Sequence, residues 1–259
     1  TALLLSCATA VKQAAEKLQE TDFHADYVRA VITILSLVFD RVAAFSSRQC
    51  TWNFTGGRGV KYTFQMHILP MVWDYAEGFP FNPEGASWAS AVEDLCAAVE
   101  QAHLPLPATV SRGSAHSVSL TNGSVDAIIT DPPYYDNVPY ADLSDFFYVW
   151  LKRIIGQFYP EHFSSLLTPK KQEAIAEPIR HGGNANKARH FYEDSMTAAF
   201  AEAHRCLKPD GTLAIVYAHK ATLGWATLVD AVRKAGFVIS EAWPFDTERP
   251  GRLRAQESS

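Results

Sequence analysis

The sequence predicts an α/β fold that follows a helical region, and two patterns within its 259 residues support this prediction. Up to about residue 103, apolar residues recur at three- and four-residue spacing, as a helix with one buried face requires. After residue 105, short apolar runs alternate with helical patterns, which is typical of a parallel sheet with crossover connections. We therefore expect a helical region over residues 1–105 and an α/β region over residues 106–259.

The helical region is predicted to contain at least three helices. The clearest one has an apolar stripe that begins at Val28, continues through Ile32 to Phe39, and ends near Ser46. A second helix is expected around residues 64–75, before a glycine and a proline that end it. A third is expected over residues 87–102, with Ser87 as its N-terminal cap.

Pro105 and Pro107 mark the predicted boundary, and strand and helix patterns alternate after them. The predicted strands cover residues 108–110, 125–130, 212–217 and 237–242. The predicted helices cover residues 143–155, 191–206 and 225–234. Pro209-Asp210-Gly211 is a tight-turn sequence that leads into the strand at residue 212.

Composition and charge narrow the class of protein. The hydrophobic fraction of 47% is enough for a sizeable core, and the net charge of −5 excludes an overall basic surface for nucleic acid. The four cysteines are far apart and form no Cys-x-x-Cys pair, so we expect reduced thiols and no metal site. No apolar run approaches the ~18 residues of a membrane span, and no basic leader precedes the apolar start. These features indicate a cytoplasmic protein without a membrane partner. The missing initiator methionine suggests a piece of a longer chain.

Residues 168–190 form a basic segment without a regular pattern. The segment contains five basic residues and two acidic ones, and Gly182-Gly183 makes its centre flexible. A solvated surface loop is one explanation. The positive charge of the segment in an acidic chain also makes Lys170, Lys171 and Arg180 the best local candidates for contacts with phosphate.

The sequence Ile-Thr-Asp-Pro-Pro-Tyr-Tyr-Asp-Asn begins at the end of the predicted strand over residues 125–130. Ligands of open α/β sheets bind beyond the carboxyl ends of the strands, so Asp131 lies where a ligand is expected. Pro132 and Pro133 stiffen the turn and free its carbonyl groups from local pairing. Acceptors beside the ring of Tyr134 suit a planar molecule with an exocyclic amino group, such as adenine or cytosine. A strand-terminating turn without a ligand is the alternative.

This Asp-Pro-Pro-Tyr sequence at a strand end resembles the catalytic motif of amino-group methyltransferases that use S-adenosylmethionine. The longer stretches YYDNVPYADLSDFFYVWLKR, CTWNF and LPMVWDYAE resemble one group of them, large bacterial adenine-specific DNA methylases with an N-terminal domain of unknown function. CLKPDGTLAIVYAHK resembles the helix, turn and fifth strand of the methyltransferase fold, and AGFVISEAWPF resembles its sixth strand. The resemblance covers about residues 25–253 and corresponds to the later portion of these enzymes. It implies a Rossmann-like methyltransferase fold.

The resemblance also implies roles for individual residues. Asp131 and the carbonyl group of Pro132 would accept hydrogen bonds from the target amine, and Tyr134 would stack on a base flipped out of the helix. The implied catalytic set is Asp131, Pro132, Pro133 and Tyr134. The expected substrate-binding residues are Tyr135, Asn137, Lys170, Lys171 and Arg180. The expected cofactor-binding residues are Gly113, Ser114 and His219. The implied reaction is site-specific methylation of N6 of adenine in DNA.

One part of the family pattern has no clear counterpart. The family carries a glycine-rich first loop between a strand and a helix, whereas the glycines at residues 55–59 follow a poor strand and precede no clear helix. We therefore interpret them as a turn and predict that the fold is incomplete, with the missing N-terminal part of the same protein as a partner. Two alternatives stay open. One is a methyltransferase for RNA bases, and the other is a non-catalytic fragment that serves as a nucleic-acid-binding scaffold.

Overall fold

The structure is a computed structural model that describes residues 2–53, 59–64, 71–83, 85–102, 108–136, 138–219 and 222–244. Its contacts divide the chain into two units. The helical unit consists of Thr1–Ala108 and Tyr140–Lys170, and the sheet unit consists of Thr109–Pro139 and Lys171–Ser259. The boundary predicted at residue 105 lies outside the described residues.

The described part of the helical unit contains four helices and a short hairpin. The helices are α1 (Ala2–Gln19), α2 (Ala25–Ala44), α3 (Trp88–Gln101) and α4 (Tyr140–Ile155). The strands β1 (Thr51–Trp52) and β2 (Val60–Lys61) pair in antiparallel orientation.

The predicted helices at α2 and α3 are confirmed, and so is the cap. The Ser87 hydroxyl group accepts a hydrogen bond from the Ser90 N–H at 3.2 Å. The Ser90 hydroxyl group in turn accepts one from the Ser87 N–H at 3.1 Å. This reciprocal pair is a capping box, which satisfies two N–H groups that the first helical turn leaves unpaired. The helix expected around residues 64–75 is not present at residue 64 or at residues 71–75, and residues 65–70 lie outside the described residues.

The core of the helical unit forms between α1, α2, α3 and α4. Ile32 and Phe39 of α2 are fully buried, and the ring of Phe39 packs edge-on against Trp150 with 5.2 Å between the ring centres. Ile154 and Ile155 at the end of α4 are also buried in this cluster. Helix α4 therefore packs with the N-terminal helices, although the chain enters it directly after the residues of the Asp-Pro-Pro-Tyr motif.

The sheet unit contains a parallel pair of strands and two long helices. Its elements are β3 (Val125–Thr130), a 3₁₀ turn (Pro178–His181), α5 (Ala185–Cys206), β4 (Leu207–Ile215) and α6 (Thr222–Lys234). Strands β3 and β4 run parallel, with Thr130 opposite Ile215. Helices α5 and α6 enclose the core with buried Met196, Phe200 and Leu228. The strand predicted at residues 125–130 and the helices predicted within α5 and α6 are confirmed. The coarse class, mixed α/β with a parallel pair, agrees with the prediction, and the Rossmann-like assignment stays a prediction.

Strand β4 contains the predicted Pro-Asp-Gly turn as an irregularity. Val125 lies opposite Leu207, whereas Ala127 lies opposite Thr212, so residues 208–211 bulge out of the register. A Cβ atom at Gly211 would lie 3.0 Å from the Asp126 carbonyl oxygen and 2.8 Å from Leu207 Cδ2. The bulge therefore requires glycine at this position, because any side chain would displace its neighbours.

Two predicted strands are wrong. Residues 108–110 and 237–242 are irregular in the structure. After α6, Gly236 takes a positive φ of 95°, and the N–H of Phe237 returns to the Val232 carbonyl oxygen at 3.2 Å. This hydrogen bond ends the helix in the left-handed manner that glycine favours. Phe237 then packs its ring 5.0 Å from His204, so its apolar character serves the core and not a strand.

Candidate functional site

The Asp-Pro-Pro-Tyr residues occupy the carboxyl end of the parallel pair. The Val216 N–H donates to the Thr130 carbonyl oxygen at 2.9 Å, so strand pairing holds the chain up to the residue before the motif. Asp131 is then exposed, and Pro132 is buried. The carboxylate of Asp131 therefore reaches solvent at the edge of the sheet where α/β proteins bind ligands.

Tyr192, a residue of α5, holds the backbone of the turn. Its hydroxyl group donates to the Pro133 carbonyl oxygen at 2.6 Å and accepts from the Tyr135 N–H at 3.2 Å. The Ala176 N–H donates to the Tyr135 carbonyl oxygen at 2.9 Å. The sequence suggested that both prolines free their carbonyl groups for a ligand. The Pro133 carbonyl group is instead hydrogen-bonded inside the protein, to the hydroxyl group of the buried Tyr192.

Tyr135 has a backbone conformation that is uncommon for a residue with a side chain. Its φ is 50°, in the left-handed region. Its ring lies edge-on between Tyr192, with 5.2 Å between the ring centres, and His219, with 5.8 Å. Such a conformation persists only where the surroundings fix it, and here the hydrogen bonds on both sides of Tyr135 do so.

The ring of Tyr134 lies against a second tyrosine. Tyr217 follows β4, and its ring meets that of Tyr134 edge-on with 5.2 Å between the centres. Burial raises the pKa of Tyr217 above its ordinary value, and the neighbouring Tyr192 acts in the same direction. Burial likewise raises the pKa of Tyr192. Both phenols therefore keep their protons at neutral pH and remain hydrogen-bond donors.

His219 lies at the same edge of the sheet, because it follows the carboxyl end of β4. Its side chain is 11% exposed, and its Nε2 atom is 3.7 Å from Asp136 Oδ1. The Trp225 indole N–H donates to the His219 carbonyl oxygen at 3.0 Å. Gly224 leaves room for the imidazole, because a Cβ atom there would collide with the ring. The structure thus brings His219 together with Tyr135 and Asp136.

A cavity of about 340 Å³ opens beside the motif within the sheet unit. Its volume falls in the range of small-molecule sites, and its lining combines an aromatic ring, prolines and two carboxylates. The lining residues are Tyr135, Asp136, Pro139, Ile175, Ala176, Glu177, Pro178 and Ala185. Tyr135 and Asp136 therefore connect the motif with the cavity.

Two of the three basic candidates for phosphate contacts form ion pairs with carboxylates. Lys170 belongs to the helical unit and forms an ion pair with Asp145. Arg180 belongs to the sheet unit, where Glu173 and Glu177 hold it at 2.6 and 2.7 Å and leave its side chain 16% exposed. Lys171 is exposed. Two of the three cations therefore already have carboxylate partners.

The remaining candidates are less closely tied to the motif. Gly113 and Ser114 are exposed, and Ser114 accepts a hydrogen bond from the Ser117 N–H at 3.1 Å in a local turn. Asn137 and residues 55–58 lie outside the described residues. The Asn53 N–H donates to the Gly59 carbonyl oxygen at 2.9 Å, which joins the two strands that flank the glycine-rich stretch. These flanks are antiparallel strands and not the strand and helix of a dinucleotide-binding loop.

The sequence did not identify Tyr192 as part of this site. It placed the residue in a helix, and no local pattern signals its hydrogen bonds to Pro133 and Tyr135, which lie 59 and 57 positions away. Tyr217 was expected only as the end of a strand. The sequence could have marked Tyr192 and Tyr217 as aromatic residues of a predicted helix and strand. Their partners are known only from the fold.

Comparison with models of protein families, with curated proteins and with solved structures found no match. The resemblance to adenine-specific methylases therefore stays a prediction from the sequence motifs. In the described ranges, no helix is long and apolar enough to cross a membrane. Within those same ranges, no group of three or more His, Cys, Asp or Glu residues could hold a metal ion.

Proposed function

We propose that the protein is an S-adenosylmethionine-dependent methyltransferase that acts on the exocyclic amino group of a nucleobase, N6 of adenine in DNA. The observation that supports this proposal is the position of Asp131. It is exposed directly after β3, at the start of a hydrogen-bonded turn that also carries Tyr134. A charged acceptor and an aromatic ring on one rigid turn match the needs of a planar base with an amino group.

The residues of the turn have distinct parts in this reaction. The Asp131 carboxylate accepts a hydrogen bond from the amino group and directs its lone pair away from the base ring, and the ring of Tyr134 stacks on the base. The Asp131 oxygen also favours the positive charge that the nitrogen gains as the methyl group leaves its donor sulfur, and the nitrogen then loses a proton to solvent. This mechanism relies on orientation and electrostatics, without a covalent bond between enzyme and substrate.

The cofactor supplies an electrophilic methyl group when it is bound. The cavity beside Tyr135 suits such a molecule chemically, because the carboxylate of Asp136 can accept hydrogen bonds from hydroxyl and ammonium groups. His219, one of the expected cofactor residues, lies 3.7 Å from Asp136 of this lining. We expect these residues to bind the cofactor and orient it towards the turn.

A non-catalytic nucleic-acid-binding module is the second candidate function. It is supported by the glycine-rich stretch at residues 55–59, which lies between two antiparallel strands. A cofactor loop of the dinucleotide type requires a strand before it and a helix after it. RNA is a further possible substrate, since an adenine amino group is the same in both nucleic acids.

The test measures methyl transfer by the full-length protein from radiolabelled S-adenosylmethionine to duplex DNA and to RNA of the same sequence. We expect N6-methyladenine in the DNA. The Asp131→Ala variant should lose at least about 100-fold in turnover. Its affinity for the cofactor, measured by calorimetry, should stay within about twofold. The matched control is Asp230→Asn, which changes an exposed carboxylate of α6 that pairs with Lys234 at 2.6 Å.

Three outcomes would decide between the proposals. Unchanged turnover in Asp131→Ala would exclude the motif from catalysis. Labelling of RNA alone would reassign the substrate. A wild-type protein that binds nucleic acid but transfers no methyl group to either substrate would support the non-catalytic module.

A further inference from the structure

We infer that Tyr192 is a positioning residue for the methyl-acceptor site. Its hydroxyl group fixes the backbone of the turn that presents Asp131 and Tyr134. The inference rests on the proposed function, because the orientation of Tyr134 affects a reaction only if a base binds there. Tyr192 itself acts through the turn and does not need to contact the substrate.

The hydroxyl group of Tyr192 makes two hydrogen bonds to this turn. It donates to the Pro133 carbonyl oxygen at 2.6 Å and accepts from the Tyr135 N–H at 3.2 Å. The phenol therefore uses its one donor position and one of its two acceptor positions on the turn. Tyr192 is 0% exposed, so water does not compete for these hydrogen bonds.

The backbone of the turn needs such a fixed point. Tyr135 has a φ of 50°, which costs on the order of 1 kcal/mol or more for a residue with a Cβ atom. Without outside support, the peptide between Pro133 and Tyr135 would relax to a more favourable conformation. The Tyr192 hydroxyl group supports it from one side, and the Ala176 N–H supports it from the other at 2.9 Å.

Tyr217 extends the same support to the aromatic ring of the motif. Its ring meets Tyr134 edge-on with 5.2 Å between the centres and meets Trp225 in the same way at 5.2 Å. The Tyr217 hydroxyl group donates to the Gly224 carbonyl oxygen at 3.4 Å, which holds its ring beside Tyr134. Two different tyrosine hydroxyl groups therefore restrain the backbone of the turn and the ring of Tyr134.

The enzymatic test is the Tyr192→Phe variant, which keeps the ring and its packing against Tyr135. Since a small misplacement of reacting groups costs up to about 100-fold in rate, we expect kcat for methyl transfer to fall roughly tenfold to 100-fold. KM for DNA and for the cofactor should change less than about threefold, because the binding groups remain. The matched control is Tyr148→Phe, which removes the hydroxyl group that donates to the Ser165 carbonyl oxygen at 2.7 Å in the helical unit. Its kcat should not change.

A second measurement is independent of activity. Hydrogen–deuterium exchange at the Tyr135 amide should become faster in Tyr192→Phe, because the amide keeps only its acceptor within the turn, the Pro133 carbonyl oxygen at 3.1 Å, and loses the buried one. Tyr148→Phe should leave this exchange rate unchanged. Tyr217→Phe provides a milder test if Tyr192→Phe fails to fold. It should keep slow exchange at Tyr135 and lower kcat by a smaller factor.

The outcomes separate this inference from the proposed function. Unchanged kcat in an active Tyr192→Phe protein, or unchanged exchange at Tyr135, would overturn the positioning role. A wild-type protein without methyl transfer would overturn the proposed function and the catalytic consequence with it. The exchange rates would then still decide whether the hydroxyl group fixes the turn.

Discussion

Asp40 is a buried carboxyl group in a helix that otherwise faces an apolar core. Asp40 is only 6% exposed, and its Oδ1 atom has no hydrogen-bond partner among the described residues. Burial raises the pKa of Asp40 to about 8. The carboxyl group is therefore protonated in the folded protein at neutral pH, whereas in the unfolded chain it has lost its proton above about pH 4.

This difference makes the stability of the helical unit depend on pH. The contribution of Asp40 to the free energy of unfolding is greatest below about pH 4. It declines as the pH rises towards 8, because unfolding then releases a proton. The decline is at most about 1.4 kcal/mol for each pH unit. We predict that Asp40→Asn removes most of this decline, since an amide does not ionise. Thermal unfolding of both proteins between pH 5 and pH 8.5 measures the effect.

The control for this prediction is Asp94→Asn, which replaces an exposed carboxylate of α3 that pairs with Arg41. It should keep the pH dependence of the wild type. If Asp40→Asn and the wild type lose stability in parallel as the pH rises, Asp40 is ionised in the folded protein and the interpretation is wrong.

At the scale of elements, the sequence predicted structure well where the pattern and the core agree. The apolar stripe of α2 and the Ser87 cap of α3 gave helices at the expected places, and the apolar run at residues 125–130 gave β3. Residues 237–242 have a similar apolar pattern but form no strand. A strand needs a partner, and pairing is decided by distant segments. Phe237 instead contacts His204, 33 positions before it in α5.

In the candidate site, too, the sequence predicted the local features and missed the contacts between distant segments. The sequence located Asp131 and Tyr134 at a strand end because a motif follows an apolar run. It did not reveal Tyr192, whose hydrogen bond to Pro133 spans 59 positions. Local spacing can predict which residues a strand presents, whereas the residues that hold them in place come from other elements.

The basic segment at residues 168–190 can be tested with its ion pairs taken into account. Because carboxylates hold Lys170 and Arg180, we expect Lys171 alone among these three candidates to be available to neutralise phosphate. If the protein binds duplex DNA through this segment, Lys171→Ala should lower the slope of log affinity against log salt by about 0.9. The triple replacement of Lys170, Lys171 and Arg180 by alanine should lower it no further. Fluorescence anisotropy at several salt concentrations measures these slopes.

Arg180→Ala should act on stability instead of on binding. Its removal leaves Glu173 and Glu177 without the cation that lies between them, so we expect a lower melting temperature and an unchanged salt slope. Lys234→Ala, in α6 and outside the segment, is the control for general charge loss. A threefold larger change of slope in the triple variant would mean that all three cations contact phosphate. An unchanged slope in every variant would mean that none of these three cations contacts phosphate.

At the scale of the whole molecule, the chain contributes to the helical unit twice, first with Thr1–Ala108 and again with Tyr140–Lys170. The sequence predicted a single division, because a helical pattern shows which face of α4 is apolar but not which core receives it. Trp150 and Ile154 of α4 belong to the cluster formed with α1 and α2. The motif at Asp131 and the helix that follows it in sequence therefore serve different units.

This organisation predicts the behaviour of shortened chains. A chain of residues 1–108 lacks the buried side chains of α4, and each of them contributes about 1.5–3 kcal/mol when fully buried. We therefore expect it to show no cooperative thermal transition by circular dichroism, because a small domain is only marginally stable. Joining residues 140–170 to its end through a flexible glycine-serine linker should restore the transition. A linked segment with the same composition in scrambled order, which keeps length and charge but not the apolar stripe, should not. Equal melting of the short chain and the linked chain would instead place the boundary of an independent domain near residue 105, as the sequence pattern alone suggested.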